Sequence, residues 1–394
     1  MTLPTPSERA DFLQIRRQME MARSPHAYMR GNTKRYYEWL DDVRAAALPQ
    51  GPSIWICGDC HSGNLGPVAA PDGRIKLQIR DFDQTVIGDP AHDVLRLALS
   101  LITAGRGARM PGIVTMEMLE HLMLGFRRGL LNQGKSGGLP TPAAVTQALD
   151  SAANRSWKDL ARERIEDCRP AIPLGRNFWP LSRAERQAIE GLLRRPELQE
   201  LLTKLKCRDD KAPVEIMDAA YWVKGCSSLG LIRYAVLVRV DGEDCLIDIK
   251  QAVKPIAPRY KGVTMPRDNG QRVLAGAQHM SPALGDRMVA ARLLEKAVFV
   301  RELRPQDMKL EIEELCVKQA GRAAQSLAYV VGRAHGRQLD RIDRKQWAAE
   351  LSRGKGKALA VPAWLWNAAT QLLGAHERGY LEHCRSHHRR LSSD

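Results

Sequence analysis

The chain has 394 residues, 44% of them apolar, and a formal net charge of +15. That length supplies core for one large two-lobed domain or for two to three smaller ones, and the charge suits acidic partners such as nucleotides, phosphorylated molecules, nucleic acid or anionic surfaces. A membrane span is excluded, because the best apolar run, Val94 to Ala104, is short and interrupted by Arg96.

Arg9 to Arg23 sets Phe12, Ile15, Met19 and Met21 at helical spacing. Ser24 to Gly31 reads as a Pro- and Gly-bounded connection. Thr33 to Leu48 reads as a helix, stopped by Pro49 to Pro52. Ile54 to Cys57 is a short buried strand, and a hairpin is expected over Leu65 to Phe82, with Ile75, Leu77 and Ile79 on one face. Asp93 opens a helix apolar on most sides and therefore central. Residues 111–211 are helical with polar breaks, and Arg169 to Pro180 is a loop. From Pro213 the texture turns to alternation, with Asp241-Gly242 as a hairpin turn between Tyr234–Val240 and Cys245–Lys250. A helix at Gln271 to His279, a strand from Ala297, and helices over Leu310 to Arg337 and Lys345 to Arg385 follow. The basic tail beyond His383 is expected to fray. The divisions are residues 1–212, 213–310 and 311–394.

Chemistry concentrates in G-D-C-H-S-G-N-L-G, Gly58 to Gly66, and in the R-D-F-D that ends the hairpin at Asp83. A phosphoryl-transfer site needs one carboxylate to orient or deprotonate an attacking hydroxyl, and an amide oxygen and a second carboxylate to hold Mg2+ against phosphates. Asp59 fits the first role, and Asn64 and Asp81 the second, with Asp83 as an additional metal ligand. The structural alternatives are a capping Asp for Asp59 and an Asn at positive φ for Asn64, whereas a carboxylate ending a buried strand, as at Asp81, is costly without a cation. His61 is expected to pack the loop, and Asp93 to accept its backbone N–H groups. In the β-rich part, Trp222 to Gly230 joins two strand-like runs. Gly225 and Gly230 would let backbone N–H groups approach phosphate, and Ser227 and Ser228 are the small polar residues of such a loop. Alone, a hairpin with two glycines is more often a plain turn. Lys250 stands one strand later.

The order G-D-x-H-x-x-N, D-F and G-D-P-x-x-D resembles the catalytic half of the aminoglycoside-phosphotransferase branch of the protein-kinase-like superfamily. The resemblance implies an α+β, two-lobed fold with a large helical lobe and a smaller β-rich lobe. It gives Lys250 the α- and β-phosphates of ATP, and it implies ATP and Mg2+ as cofactors. The β-rich lobe follows the catalytic loop here instead of preceding it, so the resemblance implies a circular permutation. Together with S-P-H-A-Y-M-R-G and V-R-E-L-R-P, these motifs are similar to the DUF2252 family of bacterial proteins. Two departures stand out. Asp83 replaces the Gly of D-F-G, and no clear Glu follows to pair with Lys250, Gln278 and Glu295 being the nearest offers. His26 and Arg30 are candidates for phosphate or substrate contact against a plain helix junction, and the strand Arg301 to Arg304 is a candidate hinge for the nucleotide base.

Cys57-Gly58-Asp59-Cys60-His61 also spells the c-type haem pattern, but no export leader or second axial ligand accompanies it. No second C-x-x-C pair closes a zinc tetrahedron. Eight cysteines without a leader fit a cytoplasmic protein. Three readings follow. The first is an ATP- and Mg2+-dependent phosphotransferase for a small-molecule hydroxyl. The second is a nucleotide-binding pseudokinase or adenylyl transferase. The third, supported by charge alone and less favoured, is a nucleic-acid-associated protein.

Overall fold

Capping chemistry sets the first helices of the computed structural model, which describes residues 3–42, 48–133, 143–165, 171–203, 209, 212–307, 317–353 and 361–391. Helix α1 is Arg9–Ala22, α2 is Pro25–Gly31 and α3 is Thr33–Asp42. Helix α2 corrects the expected connection. Pro25 occupies the first helical position, where no N–H is needed, and the Ser24 side chain accepts from Ala27 N. Strand β1 (Ile54–Ile56) and the hairpin β2 (Leu65–Ala69) and β3 (Ile75–Ile79) follow. Strand β4 (Val86–Gly88), which the pattern did not suggest, pairs with β1. Helix α4 (Pro90–Gly107) again starts with a capped proline, the Asp89 side chain accepting from Ala91 N.

Helix α5 (Gly112–Leu131), α6 (Ala143–Ala153) and α7 (Trp157–Ile165) precede a two-residue strand β5 (Phe178–Trp179), α8 (Arg183–Leu193) and α9 (Pro196–Thr203). Strand β5 replaces the end of the expected 169–180 loop, because Phe178 and Trp179 pair with Trp222 and Tyr221 and stack on them. Strands β6 (Val214–Trp222), β7 (Arg233–Val240) and β8 (Glu243–Gln251) come next. The β7–β8 turn uses Asp241 and Gly242 at positive φ, as a tight hairpin requires. Helix α10 (Asn269–Met280), α11 (Pro282–Gly285), β9 (Met288–Leu293) and β10 (Lys296–Leu303) complete a six-stranded antiparallel sheet in the order β5-β6-β7-β8-β10-β9. Helices α12 (Val317–Gly336), α13 (Arg341–Glu350) and α14 (Ala363–Leu391) end the chain. Residues 43–47 and 310–316, expected helical, lie outside the described residues. Helix α14 continues through the expected frayed tail to Leu391. Its later turns lie on α1, with Tyr380 Oη donating to Ala22 O.

The architecture is thus mixed α+β. The largest core lies among α4, α5, α12 and α14 and extends to α10. A second core fills one face of the sheet under α8 and α9, and a third joins α7 to the other face. Helices α5 and α12 meet through glycines. A Cβ at Gly125 or Gly129 would strike the α12 backbone, and one at Gly332 or Gly336 the α5 backbone. No helix among the described residues is long and apolar enough to cross a membrane.

Candidate active site

Strand β1 delivers the chain to Gly58 and Asp59, and buried hydrogen bonds fix the loop there. Asp93, near the start of α4, accepts from Cys57 N at 2.8 Å and from Gly58 N at 2.9 Å. His335 on α12 lies against the same carboxylate, Nε2 to Oδ2 2.9 Å. Tyr37 Oη donates to Gly58 O. Cys57 and Cys60 are buried as small core side chains. These bonds tie the start of the loop to α4 through Asp93.

The Asp59 carboxylate accepts from Arg96 Nε at 2.9 Å, and its other oxygen faces His61 Nε2 at 4.0 Å. Burial raises the Asp59 pKa, opposed by Arg96. Arg96 also donates to Met29 O, tying α2 to this loop. His61 is buried and held uncharged by burial and by the nearby Arg30 and Arg96. It packs the loop. Arg30 stands over Gly63, where a Cβ would lie 3.6 Å from its Cζ, and no carboxylate among the described residues pairs with it.

A 3-10 turn over Ser62–Asn64 leads into the hairpin, whose register sets Leu65 opposite Ile79. Asn64 Nδ2 donates to Asp59 O at 2.9 Å, which leaves the side-chain carbonyl for another partner. Arg80 N donates to Asn64 O at 2.7 Å, so Asp81 follows directly beside Asn64. Lys250, distant in sequence, reaches both carboxylates of this segment. Its Nζ is 3.3 Å from Asp81 Oδ2 and also pairs with Asp83 Oδ2. The lysine side chain is 4% exposed and that of Asp81 37%, so the cluster opens to solvent on the Asp81 side.

Burial would raise Asp81, but Lys250 and Arg301 outweigh it and hold the carboxyl well below the usual range. Burial and the charge of Asp81 push Asp83 up to about 6. Asp83 Oδ1 is buried without a hydrogen-bond partner. Asp81, Asp83 and the Asn64 carbonyl are hard oxygen donors, and an orphaned carboxylate oxygen among them fits Mg2+. No group of three or more His, Cys, Asp or Glu side chains among the described residues could form a metal cage by itself. Mg2+ commonly takes one or two carboxylates and completes its shell with water and substrate phosphate, so the donor set suits it.

Period-two alternation carries the chemistry across the sheet. Arg233 and Phe299 lie opposite Lys250, Ala235 and Arg301 opposite Asp248, and Leu237 and Leu303 opposite Leu246. Asp248 is fully buried and takes both Arg233 bonds, at 2.8 and 2.7 Å, and two from Arg301, at 3.2 and 3.1 Å. Arg301 donates in addition to Arg80 O, joining β10 to the residue before Asp81.

The expected helix partner of Lys250 is absent from its described contacts. Gln278 is exposed on α10, and Glu295 sits in the β9–β10 turn at positive φ. Arg272 occupies α10 instead and donates to Thr85 O, Asp83 O and Val253 O, bracing the segment after Asp81. The loop between β6 and β7 holds Gly225 and Gly230 at φ +93 and +97. Ser227 is exposed, whereas Ser228 is buried and donates to Lys224 O. A Cβ on Gly225 would lie 2.5 Å from Ser228 Oγ and 4.0 Å from Arg233 Nη1, which sets this loop beside the Lys250 face. The hinge candidate Arg301 to Leu303 is paired strand, its backbone facing β8, and Arg304 N donates to Asp307.

The side chains of Arg96, Arg272, Asp248 and Arg301 were given no role in the site from sequence. A signal existed for two of them. Arg96 interrupts an otherwise apolar helix, and Asp248 interrupts an apolar strand two residues before Lys250.

Residues 9–386 match the family described as an uncharacterised protein conserved in bacteria, DUF2252, and the chain belongs to it. No curated protein and no solved structure matches the chain.

Proposed function

We propose that this DUF2252 member is an ATP- and Mg2+-dependent phosphotransferase acting on a small-molecule hydroxyl, with a circularly permuted, two-lobed kinase-like fold. Residues 213–310 form its nucleotide lobe, and residues 1–212 and 311–394 its helical lobe. One observation carries the reading. Lys250 on the sheet pairs with Asp81 and Asp83 after the hairpin, and Asn64 and Asp59 stand on the adjoining loop.

In this reading Lys250 releases its carboxylates to bind nucleotide phosphate, and the 224–230 loop covers the phosphates with its N–H groups. Asp81, Asp83 and Asn64 would hold Mg2+, which would supply positive charge to the phosphate oxygens. Asp59, its basicity raised by burial and its orientation fixed by Arg96, takes the proton of the acceptor hydroxyl as that oxygen attacks the γ-phosphorus. ADP leaves with the electrons of the broken P–O bond. Only four residues separate Asp81 from the strand Val86–Gly88, too few for a peptide-docking segment, which favours a small acceptor.

A regulatory, non-catalytic nucleotide site is the second reading. Helix α7 favours it, because Leu160, Ala161 and Ile165 pack on the sheet face next to Lys250.

Thermal melting with ATP, with and without Mg2+, tests the first reading. Mg·ATP at one hundred times its Kd should stabilise the protein by about 2.7 kcal/mol. Asp81→Asn should remove the Mg2+-dependent part and still melt cooperatively. Asp59→Asn should keep it while ATP turnover falls about 10²–10⁴-fold. Unchanged Mg·ATP affinity in Asp81→Asn overturns the metal assignment, and full turnover in Asp59→Asn overturns the base. Nucleotide binding without turnover in the parent selects the second reading.

A further inference from the structure

A cavity of about 410 Å³ lies between β3, α6 and α12, outside the Asp59–Lys250 site. Its size falls within the about 300–1,000 Å³ of small-molecule pockets. Three cations line it, Lys76 from β3, Arg333 from α12 and Arg337 just beyond its end, and no lining residue is acidic. Arg337 Nη1 donates to Met280 O, and Arg333 has no side-chain hydrogen bond or ion pair among the described residues.

Gln78 Oε1 and the Tyr329 hydroxyl, on two of the lining residues, are buried and have no hydrogen-bond partner among the described residues, which is rare in a folded protein. Val145, Leu149 and Val330 make the remaining wall apolar.

We propose that this cavity binds an amphipathic anion, a small molecule with a carboxylate or phosphate head and an apolar tail. The head lies between Arg333 and Arg337. A fork of guanidinium N–H groups suits either head by paired hydrogen bonds. The tail covers Val145, Leu149 and Val330. A cation would meet three like charges, and a wholly apolar ligand would bring no partner to the Arg333 guanidinium. The proposal does not rest on the phosphotransferase reading, because the two sites share no residue. They are close in the chain, since the strand that carries Gln78 ends two residues before Asp81.

Calorimetric titration and thermal melting of the full chain test it, with octanoate, octyl phosphate, inorganic phosphate and octyltrimethylammonium as probes below their micelle concentrations. One or both octyl anions should bind one to one and raise the melting temperature, the tighter of them identifying the head. Arg333→Gln should weaken that binding at least about tenfold, and Leu149→Ser should weaken the octyl anions alone. Lys76→Gln, on the exposed strand edge, is the second variant should Arg333→Gln fail to fold. The proposal is overturned if neither octyl anion binds below about 1 mM, if octyltrimethylammonium or inorganic phosphate binds as tightly as octyl phosphate, or if the charge variants leave affinity unchanged.

Discussion

On one face of the six-stranded sheet, Val236, Val238, Ile247, Ile249 and Val300 bury against α8 and α9. On the other, the row Leu237–Leu246–Leu303 gives way to Ala235–Asp248–Arg301 and then to Arg233–Lys250–Phe299. The same strands form both faces, because successive side chains point to opposite sides. The apolar face needs only volume and shape. The mixed face carries buried charges, each of which is tolerable only with its partner in place.

The sharpest break in that contrast is Asp248→Asn. It leaves Arg233 and Arg301 buried without their counter-charge and should cost about 3–5 kcal/mol in denaturant unfolding. Replacing the whole triad, as Arg233→Met, Asp248→Leu and Arg301→Met together, should recover most of that loss. A triple variant as unstable as the single one would show that packing, not charge, sets the effect. Acid sharpens the same point. Burial alone would raise Asp248, but Arg233 and Arg301 hold it far below the ordinary carboxylate range. With the folded pKa depressed, its contribution is complete above the unfolded value of about 3.9 and is lost as pH falls below it. The parent should therefore lose stability below about pH 4 more steeply than Asp248→Asn does.

On the apolar face, Ile247→Ala should cost about 2–5 kcal/mol through a cavity, with no pH dependence between the parent and variant curves. A steep acid dependence there would erase the distinction between the faces. The smallest effect belongs to the loop that joins the strands. Gly230 sits at φ +97 with open space where a Cβ would go, so Gly230→Ala tests backbone strain alone and should cost about 1 kcal/mol. No change in chemical denaturation would mean that the loop relaxes to another conformation.

Local pattern made much of the fold legible. The Asp241-Gly242 turn, the alternation around it and the hairpin before Asp81 are short-range signals, and the structure forms them within a few residues of expectation. Strands β4, β5 and β9 were not foreseen, because each is short or at an edge and is defined by the strand it pairs with. Helix α2 was hidden by Pro25, a residue that ends one element and starts the next. Among the candidate residues, Asp59, Asn64 and Asp81 share one segment and carry a pattern. The reach of Lys250 to Asp81 and Asp83 is a tertiary fact that no spacing contains. The arginines were illegible for another reason. Arg96 apart, sixty basic residues spread along the chain give no hint which of them are buried beside carboxylates or loop carbonyls.

The glycine contact between α5 and α12 bears on how this molecule can move. Helices whose backbones touch have no side-chain layer to shear across, so the pair behaves as one stiff strut. His335 rides on that strut and meets Asp93 beneath the Gly58 loop. The strut amides should therefore be the last to exchange with deuterium, opening only with global unfolding. Any opening around Lys250 and Asp81 at native conditions must then come from the sheet side, through α7, the 224–230 loop and the single-residue ties Arg272 and Arg301.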